Sequence, residues 1–274
     1  MSQARFSVRT AVAEGFEFWR ANVARVIGPL IIAAAAILAL ATTSPPNFLT
    51  AGAPVSPSAV AIMAIYGLAY VMIQGGLYGV AMADHGGAAA GPLGPLGLQW
   101  RGLETRILGA SLLVGLVFLA AAVVTTFGVS IGLLLLLGPT GAATSEQWMA
   151  GLSPTDKAVF YLGLGLCLVI LWWLATRLSM TLAATAADNQ IRLWAPFKLT
   201  RGAVLPLTLA GLAIYLPVLM LHILAWTFTR ITGSSDLAPW TSGISSAVSI
   251  FLYQPISVGM TSYIYRRLRG GAGQ

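Results

Sequence analysis

The residues best placed to do chemistry in this chain are one serine and one histidine. Gly128-Val129-Ser130-Ile131-Gly132 has the spacing G-x-S-x-G, and His222 lies at a comparable depth in a later apolar run. A histidine within reach of a serine hydroxyl can take its proton and produce a nucleophile for acyl transfer. The elbow that presents such a serine is a strand-to-helix turn, whereas Ser130 lies in an unbroken apolar stretch that reads as helix. A serine there ordinarily bonds a carbonyl of the preceding turn. We therefore expect a non-enzymatic protein, with an intramembrane hydrolase on Ser130 and His222 as the least favoured reading. There is no HExxH, CxxC, P-loop or strand-borne dinucleotide fingerprint. The single cysteine, Cys167, can supply neither a disulfide framework nor a thiolate metal site. No cofactor and no metal are expected.

Two amides stand out within apolar runs, Gln74 and Gln254. An amide in hydrocarbon needs a partner, and a hydrogen bond across helices supplies one at about 1 kcal/mol or less. The pair reads first as glue between helices. Its second reading is a polar lining for a solute path, which would make the protein a transporter or channel for a neutral or amphipathic solute. No intramembrane charge of the kind that couples transport to ions accompanies them.

A third constellation repeats. Trp19-Arg20, four residues, then Arg25-Val26-Ile27-Gly28 is matched by Trp100-Arg101, four residues, then Arg106-Ile107-Leu108-Gly109. A looser copy runs from Trp194 through Lys198 to Arg201-Gly202. Each copy opens into a long apolar run. Tryptophan and arginine together favour the membrane–water interface, and each cation near an anionic leaflet contributes about 1 kcal/mol. Trp19, Arg20, Arg25, Trp100, Arg101, Arg106, Trp194, Lys198 and Arg201 are thus expected to form an interfacial belt that meets lipid or a protein partner.

The elements that must carry these residues follow from composition. The chain has 274 residues, 57% of them hydrophobic and only 8% charged, with a mean hydropathy of +0.83. Soluble domains carry about 25% charged residues. Six runs, 26–43, 58–83, 108–138, 158–176, 203–228 and 242–264, contain no Asp, Glu, Lys or Arg, and about 20 apolar residues suffice to span a bilayer. Backbone groups in hydrocarbon must bond within their own segment, so the expected fold is all-α. It is a polytopic bundle of three helical hairpins, each preceded by a basic interfacial segment, in one domain over 1–274. Gly75…Gly79 and Gly128…Gly132 have the spacing that lets helices approach closely. Pro206, Pro217 and Pro255 are expected bend points.

Thirteen of the fifteen Lys and Arg residues fall on one side of these spans, leaving Lys157 and Arg230 on the other. The positive-inside rule then places both termini in the cytoplasm. The net charge of +7 is a topology signal on this reading, since no polar module is present to bind nucleic acid. Ala39-Leu40-Ala41 resembles a signal-peptidase site, but the 25 residues ahead of the first span include Glu14 and Glu17 and argue against cleavage. Residues 1–25 read as a cytoplasmic amphipathic helix, with Phe6, Val12, Phe16, Trp19 and Val23 at helical spacing. Proline-rich residues 44–57 and residues 139–157 read as outer loops, the latter carrying Glu146 and Trp148. The Gly/Pro/Ala-rich connection from His85 to Gln99 is expected to be flexible, and 265–274 to be a basic tail.

The stretch Phe16-Glu17-Phe18-Trp19-Arg20 carries a family resemblance. So does the segment from Arg177-Leu178-Ser179 through Ala187-Asp188-Asn189 to Phe197-Lys198-Leu199-Thr200-Arg201-Gly202. With these the chain resembles bacterial six-helix membrane proteins, similar to the membrane domain attached to some glycerophosphoryl diester phosphodiesterases. The catalytic barrel of those enzymes, with its acidic metal ligands and histidines, has no counterpart here. The resemblance implies a stand-alone domain of the bacterial inner membrane and carries over no hydrolase activity. Membrane lipids, anionic ones among them, and a membrane protein are the partners to expect, and a homo-oligomer is compatible with the chain.

Overall fold

The computed structural model describes residues 6–43, 56–83, 93–137, 147, 150–234 and 237–271. They form α1 (Val8–Asn22), α2 (Ile27–Thr43), α3 (Pro57–Met82), α4 (Gly102–Leu137), α5 (Pro154–Leu178), α6 (Thr181–Asp188), α7 (Ala195–Leu199), α8 (Val204–Thr232) and α9 (Leu237–Gly271). Two tight 3-10 turns, Val23–Val26 and Pro95–Gly97, complete the elements. The protein is all-α, without strands among the described residues, and six of its helices are long and apolar enough to cross a membrane. The outer loops expected at 44–55 and 139–146, and Trp148, lie outside the described residues, as do His85 and Arg5.

Local sequence sets the helix starts. Ser56 accepts the Ala59 N–H at 3.2 Å and Pro57 fills the first position of α3, where a missing N–H is harmless. Ser153 and Asp156 form a reciprocal capping box ahead of α5, satisfying two otherwise orphaned donors. Asn189 ends α6 and Gly233 ends α8 in the left-handed conformation, with φ of 52° and 63°.

The elements extend beyond the apolar runs. α4 has 36 residues, roughly 54 Å at the usual rise, and takes in Glu104 and Arg106. The expected basic tail is instead helical through Gly271, because arginine is a good helix former and nothing before Gly270 interrupts it. Pro206 falls in the first turn of α8 and is no bend point, while α8 and α9 run on through Pro217 and Pro255. Part of the supposedly flexible connection is fixed: the Pro95–Gly97 turn lies under Gly28, where an added Cβ would stand 2.9 Å from the Leu96 carbonyl.

α9 is the centre of the bundle, packed by α1, α2, α3 and α8. In its apolar window 44% of residues are buried, against 11% in α4 and 6% in α5. α4 and α5 pair with each other and turn Leu116, Leu119, Phe127, Leu162 and Val169 outward. Apolar surface of that extent faces lipid or another protein.

Candidate functional site

α1 does not lie free along the bundle. Gly15 and Gly259 bring it onto α9 so closely that a Cβ on Gly15 would stand 2.8 Å from the Ile256 carbonyl oxygen. One on Gly259 would meet the Phe18 Cβ at 2.5 Å. Ala11 and Gly15 are buried in this contact, whereas Phe16, expected on the apolar face, is 37% exposed. Close approach through small residues has won over burial of the Phe16 ring.

A hydrogen bond fixes the register. Pro255 has no N–H, so the carbonyl of Phe251, four residues earlier, lacks its helical donor. Trp19 fills the vacancy, its indole Nε1 donating to the Phe251 oxygen at 2.9 Å. Trp19 therefore faces the protein as well as the interface.

The other belt residues divide. Arg106 donates to Asn189 Oδ1, and the Arg101 guanidinium reaches Glu104 at 3.4 Å. The Trp100 indole donates to Thr105 Oγ1 at 3.1 Å, and Trp194 stacks on Phe197 with centroids 5.5 Å apart. Arg177, Arg192, Arg266 and Arg269, at the same end, are also engaged. Arg177 donates to the Phe197 carbonyl, Arg266 to the Ala81 carbonyl, and Arg192 and Arg269 both pair with Asp188. Arg20, Arg25, Lys198 and Arg201 remain exposed at this basic end. The first two copies of the repeat are seated alike. Gly28 receives Leu96 and Leu98, and Gly109 receives Ile191, each from the segment leading into the next copy.

Sequence reasoning missed Glu104, which is fully buried. Its carboxylate accepts the Arg101 N–H at 2.8 Å and the Gln99 amide at 3.5 Å. Its stem lies against Gly75, where a Cβ would approach Glu104 Cγ to 2.6 Å. The signal was present: an acidic residue at the third position of a helix takes the N–H of the residue capping it. The same glycine spacing elsewhere does nothing comparable, since an added Cβ on Gly128 or Gly132 would meet nothing within 4 Å among the described residues. α6 was also missed: it lies beyond Arg177, which ends the fourth apolar run.

Gln74 and Gln254 are brought together, Gln74 Nε2 donating to Gln254 Oε1 at 2.5 Å. Tyr70 lies beside both amides, and one turn beyond Gln74 on α3 Tyr78 bonds Thr261 at 2.9 Å. The result is a polar seam holding α3 on α9. Ser130 and His222 are not joined. Ser130 is exposed on α4, and the His222 Nδ1 bonds the Val218 carbonyl of its own helix at 2.8 Å. Among the described residues no three His, Cys, Asp or Glu side chains gather as metal ligands.

The last feature of the basic end is a cleft between α1, the end of α3 and α9, lined by Glu14, Glu17, Asn22, Ser262 and Arg266. No family model matches the chain, and neither does any curated protein or solved structure.

Proposed function

We propose that the protein is a non-enzymatic, multi-pass protein of the bacterial inner membrane, with both termini in the cytoplasm. It organises a membrane complex or engages anionic lipid through its basic end, as a relative of the membrane domain that it resembles. One observation carries this reading. Arg20, Arg25 and Lys198 are exposed and have no ion pair or hydrogen bond among the described residues, while most neighbouring arginines are engaged with the protein itself. Cations held at the interface without a protein partner are available to phosphate headgroups. The outward faces of α4 and α5, with Gly128 and Gly132 open, supply apolar surface for a membrane partner or a second copy. A transporter with Gln74 and Gln254 on its path has less support, because the two amides bond each other.

The test is lipid retention by the full chain extracted from membranes containing phosphatidylglycerol. The triple variant Arg20→Gln, Arg25→Gln, Lys198→Gln should retain less of that lipid than the parent, and the parent's retention should fall as salt rises. Equal retention by the two proteins would remove the lipid arm of the proposal.

A further inference from the structure

We infer that the cleft between α1, the end of α3 and α9 binds an aminoalkyl phosphate, the chemistry of a phosphoethanolamine group. Glu14 and Glu17 would take its ammonium, and Arg266 and Arg267 its phosphate. This goes beyond the belt, which involves other residues and selects only for negative charge.

The cleft has a volume of about 280 Å³ and shares Glu14 and Arg266 with a neighbouring hollow of about 440 Å³ that is lined by Arg267. Its charges have opposite signs, yet among the described residues neither Glu14 nor Glu17 forms an ion pair. Surface carboxylates and guanidiniums that share a cleft without meeting leave room for a ligand to complete both. Arg266 is held in place by its bond to the Ala81 carbonyl at 3.3 Å, and Arg267 lies over the Tyr263 ring at 5.4 Å.

Ser262 supplies an independent sign. It lines the cleft and is 1% exposed, and among the described residues its hydroxyl has no hydrogen-bond partner. A buried hydroxyl left unbonded is unfavourable, and a phosphate oxygen in the cleft would satisfy it. Phe18, Ala81 and Gly259 complete its lining.

The charge pattern selects the ligand class. A simple anion would meet two carboxylates, and a metal ion would meet two guanidiniums. A zwitterion with a primary ammonium at one end and a phosphate at the other meets neither repulsion. The cleft also lies where the last apolar run gives way to arginines, the depth of a headgroup.

The full-length chain in detergent is titrated with dioleoyl phosphatidylethanolamine, phosphatidylcholine and phosphatidylglycerol in separate arms, with native mass spectrometry counting bound lipid. The ethanolamine lipid should bind about tenfold more tightly than the choline lipid, the loss of one charge-assisted hydrogen bond, since a trimethylated ammonium has no N–H to donate. Glu14→Gln with Glu17→Gln should abolish that preference. Ser262→Ala, which removes only the hydroxyl, should weaken binding and serves where the double variant folds poorly. The triple belt variant should keep the preference, so failure of this site and failure of the belt are separable. Free phosphoethanolamine that displaces the lipid identifies a soluble source for the ligand, and its failure to do so identifies the lipid. Equal binding of ethanolamine and choline lipids, a preference that survives the glutamate substitutions, or binding left unweakened by Ser262→Ala would overturn the assignment.

Discussion

A proline in a membrane helix leaves one carbonyl without its donor, and for Pro255 that orphan belongs to Phe251. Trp19 supplies the missing N–H from 232 residues away. Trp19→Phe keeps the ring and removes the donor, and should lower stability by about 1–3 kcal/mol, the usual effect of leaving a buried acceptor unbonded. Adding Pro255→Ala restores a backbone N–H to the helix, so most of that loss should vanish in the double variant. Unfolding of the four proteins in mixed micelles measures the coupling, and additive effects would refute the pairing. Gly75→Ala should destabilise by about 1–3 kcal/mol through overpacking, because the new methyl collides with Glu104; the same unfolding measurement reads it. Trp19 and Pro255 were both legible in the sequence as an interfacial indole and a helix perturbation. Their pairing was not, because an indole N–H satisfied by a headgroup and one satisfied by a distant carbonyl have the same local sequence.

At the scale of elements, apolar runs located the spanning helices to within a few residues at most ends. They did not reveal where helices stop, since arginines continue α9 and a buried glutamate begins α4. The seam between Gln74 and Gln254 was legible because each amide is conspicuous in its own helix, and hydrocarbon leaves them few other partners. The docking of α1 was hidden, because glycine carries no hydropathy signal and Phe16 pointed to the wrong face. Gly259→Leu should force α1 off α9. Amide hydrogen exchange over residues 8–22 should then accelerate while α3 stays protected, and unchanged exchange would show that the contact is dispensable.

The whole molecule is lopsided, with a dense group around α9 and the α4–α5 pair at its margin. Its orientation is testable with the chain's own chemistry, since Cys167 is buried and the only cysteine. Thr155→Cys and Gly270→Cys place thiols at opposite ends, and an impermeant maleimide applied outside intact cells should label the first and spare the second. Labelling of Gly270→Cys alone would invert the topology. The contact between α1 and α9 also has a consequence for how the chain is made. α1 is made well before α9, on which it has its seat, and α9 is also the hub of the core. Until α9 is inserted, the five spans before it lack the helix they close around and the glycine face of α1 lacks its seat. A nascent chain stalled before residue 251 therefore exposes an unclosed helix, a mark by which a membrane protease could tell unfinished molecules from finished ones.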